Sequence, residues 1–68
     1  MGRYFVRSSS LVYGVDLRAT DDLAKALDSF GAEAACCARV GGGSVVLYDE
    51  RRSVLLAIDL PFADSPRA

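Results

Sequence analysis

The sequence predicts a two-layer α+β sandwich, with a four- to five-stranded, mainly antiparallel sheet, one helix on one face, and elements in the order ββαβββ. Three observations carry that reading. One stretch has a 3.6-residue apolar period, at Leu23, Ala26, Leu27 and Phe30. Short runs rich in Val, Leu and Tyr lie on both sides of it. After it, the runs are separated by Gly41-Gly42-Gly43 and by Asp49-Glu50-Arg51-Arg52, both of hairpin length.

In chain order, runs 4–7 and 11–17 form a hairpin around Ser8-Ser9-Ser10, a weak turn signal because nothing there readily takes positive φ. Alternation gives Leu11, Tyr13, Val15 and Leu17 one face, assigned to the core with Tyr4 and Val6. The helix spans 21–30, with Thr20 as N-cap, Asp21 and Asp22 at the positive end of the dipole, and Gly31 as the left-handed C′ residue. Three strands follow, at 33–40, 44–48 and 53–60. The first points small residues inward (Ala34, Cys36, Ala38 and Val40), the second leaves Val45 and Leu47 competing with Val46 and Tyr48, and the third turns Val54, Leu56, Ile58 and Leu60 toward the helix. Pro61 ends the last strand, so 1–60 forms a single domain and 61–68 a loosely held tail.

At 68 residues the chain has room for one core, and with 51% hydrophobic residues some apolar surface must stay outside. Eight basic residues against nine acidic ones give a net charge of -1, without the footprint of a dedicated nucleic-acid binder. His, Asn, Gln and Trp are absent, which removes the usual proton shuttle, the preferred metal ligand and bidentate adenine readout. The Arg- and Ala-rich composition suits a GC-rich coding sequence, a bias that by itself depletes Asn and Gln. No run approaches the roughly 18 apolar residues that cross a bilayer, and the N-terminus lacks a secretory pattern, so the expectation is a cytoplasmic protein with no membrane partner.

The chemistry-bearing patterns mostly have structural readings. Cys36 and Cys37, as strand neighbours, point to opposite faces and share no metal, which leaves Cys36 as a small core residue and Cys37 on the outer face. Gly41-Gly42-Gly43-Ser44 lacks the Lys and following helix of a phosphate loop. Asp21 and Asp22 complement a helix dipole, and Asp49 to Arg52 form a charged turn. No catalysis, cofactor or metal is expected. The outward sheet face is the remaining candidate, displaying Arg3, Phe5 and Arg7, then Val12, Asp16 and Arg18, then Glu33, Cys37 and Arg39. Arg and aromatic groups anchor protein interfaces, which makes Arg3, Phe5, Arg7, Arg18, Cys37 and Arg39 the predicted partner-binding set. Stacking on single-stranded nucleic acid is the alternative, weakened by Asp16, Glu33 and Asp59 on the same face. A solvated face laced with salt bridges is the third reading.

In size, missing catalytic vocabulary and α+β layout, the chain is similar to phage-encoded inhibitors of host defence, of which anti-CRISPR proteins are the best-known kind. The likeness is one of class and no motif carries it. It implies a non-catalytic protein-binding module whose partner is a larger protein or ribonucleoprotein complex, or a second copy of the chain. The rival is a small nucleic-acid-binding or antitoxin-like regulator acting as a dimer.

Overall fold

A computed structural model describes residues 3–10 and 12–60. The reading of 61–68 as a tail and of Leu11 as a core residue lies outside these. Strands β1 (Tyr4–Ser10) and β2 (Gly14–Thr20) precede a helix, α1 (Leu23–Arg39), and β3 (Gly43–Asp49) and β4 (Val54–Leu60) follow it. The four strands form one antiparallel sheet in the order β2-β1-β3-β4, with α1 packed on one face, chiefly over β3 and β1. The α+β class and the one-helix, one-sheet layering are those the sequence predicts.

The element order is ββαββ, because residues 33–39, expected as a strand, continue the helix. Small residues misled the period-2 reading. The alternation of Ala34, Cys36 and Ala38 says little about burial, whereas Ala26, Phe30, Ala34 and Cys37 form one helical stripe against the sheet. Ala is also the strongest helix former, and a single Gly31 costs only about 1 kcal/mol, too little to end a helix. Asp22, rather than Thr20, is the N-cap, its Oδ1 accepting the Ala24 N–H at 2.9 Å. The true terminator is the glycine run. Gly41, at φ 98°, follows the cap residue Val40, and the Gly42 N–H reaches the Cys37 carbonyl at 2.8 Å while the Gly41 N–H reaches that of Ala38 at 3.4 Å, a Schellman closure.

Both hairpins are set by short polar side chains. Ser8, Ser9 and Ser10 all belong to β1, and the turn comes later, where the Ser10 Oγ accepts the Tyr13 N–H at 2.9 Å and Gly14 adopts φ 74°. At the other hairpin the Asp49 Oδ1 accepts the N–H groups of Arg51 (2.9 Å) and Ser53 (3.0 Å). Arg52 sits there at φ 68°, uncommon for a residue with a side chain.

The core is small: Val6 from β1, Ala26 and Cys37 from α1, and Val45 and Leu47 from β3, with Tyr4, Phe30, Ala34 and Leu60 packed against it. Val45 and Leu47 therefore win the inward face of β3. Pairing with them turns Leu56 and Ile58 of β4 to the helix side as expected, yet both stay exposed, because α1 lies over the central strands and leaves β4 at the rim. Val54, expected beside them, takes the opposite face, because the β3–β4 register shifts between Leu47 and Tyr48 and pairs it with Tyr48.

The faces of β2 are reversed relative to expectation. Its register pairs Val6 with Arg18 and Ser8 with Asp16 on the helix side, which sends Val15 and Leu17 outward opposite Ser9 and Arg7. The reason lies in α1. Glu33 offers a carboxylate at that rim, and its Oε2 meets the Arg18 Nε at 3.1 Å. Arg18 also pairs with Asp16 at 3.2 Å, and the Ser8 hydroxyl donates to the Glu33 Oε1 at 3.0 Å. The charged residues find partners on the helix side, where no apolar layer has to be breached.

Candidate docking surface

Strand register fixes which side chains share the face opposite the helix. Reading across the sheet, Leu17 lies beside Arg7, Arg7 beside Val46, and Val46 beside Ala57. The flanking row is Ala19, Phe5, Tyr48 and Val54, and Leu55, unpaired at the register shift, lies opposite inward Leu56 by alternation. Phe5 and Tyr48 are directly paired, their rings stacked with centroids 5.4 Å apart and planes 21° apart. No described residue forms a layer on this face, so Leu17 remains 55% exposed and Leu55 45% exposed. The surface is an aromatic stack on the two central strands, flanked by aliphatic side chains from the edges, with Arg7 beside the stack, Arg52 at the turn and Asp59 at the far end of β4.

Of the six residues predicted to bind a partner, the structure brings Phe5 and Arg7 together here, and Arg3, exposed just before β1, shares their face by alternation. The others lie elsewhere. Arg18 is on the helix side in its ion pairs, Arg39 is exposed in the last turn of α1, and Cys37 is buried at 3% exposure in the core, facing β1 and β3. The shared outward face expected for Arg18, Cys37 and Arg39 is thereby corrected: the first follows from the β2 register, and the other two from the helix extending through 33–39. Cys36 is the half-buried cysteine and Cys37 the core one, the reverse of the strand assignment. Leu55 and Ala57 face away from the helix as their alternation predicts, whereas the sequence pattern assigns Leu17 to the core and leaves Val46 and Tyr48 competing for it. Their signal was the alternation itself, which gives two faces without saying which one the helix takes.

A cleft of about 320 Å³ opens on the helix side between β2 and the C-terminal half of α1, lined by Ser8, Asp16, Arg18, Glu33 and Cys36 among others. It is lined by the hydroxyls of Ser8, Ser10 and Tyr13, the carboxylates of Asp16 and Glu33 and two thiols, and its inner wall is a structural network. Ser8 is 5% exposed with its hydroxyl donated to Glu33, both Glu33 oxygens are engaged, and Asp16 is held in the Arg18 ion pair, so the polar groups on the inner wall serve one another. Burial pushes the neighbouring Cys37 thiol above its ordinary pKa, with Cys36 and Glu33 adding to the shift, which disfavours the nucleophilic thiolate. Among the described residues no group of three or more potential ligands could hold a metal ion, and no helix is long and apolar enough to cross a membrane.

Comparison with protein-family models, curated proteins and solved structures finds no match.

Proposed function

We propose that this domain is a non-catalytic protein-binding module that docks a larger protein on its open sheet face. The observation that carries this reading is the Phe5–Tyr48 stack on the two central strands, with Arg7 beside it and exposed Leu17 and Leu55 at its flanks. Aromatic and Arg anchors ringed by aliphatic surface match the composition of protein interface cores. Inhibition of a larger host complex is one form such a module takes, supported by the small size and the missing catalytic vocabulary.

The nucleic-acid alternative gains one observation, since Asp16 and Glu33 lie on the helix side and leave the open face less acidic than expected. Against it, Phe5 and Tyr48 turn one ring face toward each other, and the surface around them is aliphatic, whereas single-strand binders present free aromatic faces to successive bases.

The test is capture of partners from native lysate with the tagged full chain, using Leu17→Asp and Leu55→Asp on the open face and Lys25→Glu on the helix as control. Loss of one captured protein with both face variants, its retention with the control, and unchanged thermal melts are expected. Equal capture by all four proteins overturns the assignment. A gel shift with single-stranded RNA that weakens steeply with salt would favour the alternative.

A further inference from the structure

Two arginines that make no ion pair among the described residues line one depression on the open face. Arg7, Val46, Tyr48, Arg52 and Val54 line a hollow of about 280 Å³ at the end of the sheet where β3 turns into β4. Arg7 reaches it from the middle of β1, and Arg52 from the turn. The turn holds Arg52 firmly, at φ 68° with its N–H on the Asp49 carbonyl at 2.9 Å. Among the described residues neither guanidinium is ion-paired. The described ion pairs all belong to Arg18, and one oxygen of Asp49, the acid closest in the turn, already accepts the backbone N–H groups of Arg51 and Ser53. Asp59, an acid on the same face, pairs with Ser44 at the opposite end, two strands across from Arg7. Two like charges over a partly apolar floor repel each other, and an anion placed between them would relieve that repulsion and accept charge-assisted hydrogen bonds.

We infer that this hollow is a subsite for a carboxylate, supplied by an Asp or Glu side chain in an extended acidic segment of the protein partner. The inference rests on the docking role of the open face and adds the partner's chemistry. The guanidinium fork matches a carboxylate bidentately. The aliphatic surround of Val46, Val54 and Leu55 suits apolar residues alternating with the acid, and an extended segment places such residues on alternate sides. The chain's own acids at the helix side and helix start (Asp16, Asp21, Asp22, Asp28 and Glu33) lie off this face, which leaves, among the described residues, Asp49 and Glu50 in the turn and Asp59 at the far end as the acids set against Arg3, Arg7 and Arg52.

The experiment is an NMR titration of the ¹⁵N-labelled full chain with a synthetic peptide alternating Glu and Leu, and with its Gln–Leu counterpart. Expected are shifts at the Arg7 and Arg52 Nε signals and at the Val46, Tyr48 and Val54 amides, for the Glu peptide only. Arg7→Gln and Arg52→Gln should each weaken it about tenfold, with an unchanged spectral fold. Absence of binding, equal binding of the Gln peptide, or shifts centred on Arg18 or Arg39 would each overturn the subsite. If the two Arg variants bind as the parent does while Leu17→Asp and Leu55→Asp abolish binding, the subsite fails and the docking face stands. If all four variants bind equally, both fail. Displacement of the peptide by a single-stranded oligonucleotide of higher affinity would assign the guanidiniums to phosphate instead.

Discussion

The Ser8 hydroxyl donates to the Glu33 carboxylate at 3.0 Å, joining the inner face of β1 to the middle of α1 across 25 residues of sequence. Arg18 grips the other carboxylate oxygen from β2, so one side chain locks helix, central strand and edge strand together. Removing Glu33 leaves a nearly buried hydroxyl and a guanidinium short of a partner. Glu33→Ala should cost about 1–3 kcal/mol, and Ser8→Ala about 1 kcal/mol, since the Glu33 carboxylate oxygen it leaves without a donor stays partly open to water. In a double-mutant cycle followed by urea unfolding the pair should couple by at least about 0.5 kcal/mol. Strict additivity would show the bond to be incidental.

Gly31 and Gly43 should respond to alanine with opposite signs. Nothing lies within 4 Å of a Cβ built at Gly31, which is exposed inside α1, so Gly31→Ala should stabilise by about 0.5–1 kcal/mol. At Gly43, where φ is 153°, a Cβ would run into the Ser9 carbonyl oxygen and stand 2.9 Å from the Cys37 Sγ. Gly43→Ala should cost about 2–4 kcal/mol through combined strain and overpacking. Thermal melts of the two variants decide the matter, and a shift of the same sign in both would contradict the backbone assignment.

Cys37 should resist thiol reagents in the folded protein while Cys36 reacts, with both reacting once urea is added. A native stoichiometry of two fast thiols would contradict the burial. The pH dependence follows from the raised pKa. Above the ordinary value of 9.0 the unfolded chain loses this proton first, so the native state binds more protons and stability falls as pH rises. Below 9.0 the group adds no slope. Comparing melts at pH 7 and pH 10, Cys37→Ala should show a shallower decline than the parent.

Phe5 and Tyr48 should be energetically coupled across the β1–β3 pairing. A cycle of Phe5→Leu and Tyr48→Leu, measured by urea unfolding, should give a coupling of about 0.5–1.5 kcal/mol. A value indistinguishable from zero would mean that the rings are neighbours without mutual preference.

Much of this fold could be read from residue order, and the misreadings have specific causes. The last two strands are legible because Val45, Leu47, Leu56, Ile58 and Leu60 alternate, and Asp49 to Arg52 mark the turn between them. Residues 33–39 were misread because Ala and Cys fit either period, and because Gly31 resembles a terminator while the true terminator, Gly41 to Gly43, resembles a hairpin. The open face was half legible. Phe5 and Arg7 come from a central strand whose inward partner Val6 is unmistakably apolar, but β2 lies at the edge, where burial exerts little pull. There Glu33 decides the register, and a carboxylate on a distant element leaves no trace in the local pattern of Val15 to Arg18.

The sheet consists of two sequence-local hairpins stitched by a single long-range seam, the pairing of Tyr4–Ser10 with Gly43–Asp49, and the helix bridges the gap in sequence between them. The two hairpins are therefore joined along one line, where Val6 meets Leu47 and Phe5 meets Tyr48, with α1 packed across both strands of it. Amide protons on the outer strands can exchange by opening one hairpin, whereas those along the seam exchange only when the whole chain comes apart. A molecule lying across Phe5 and Tyr48 would clamp that line, so its affinity should be measurable as slowed exchange at the seam, even on the side of the sheet it never touches.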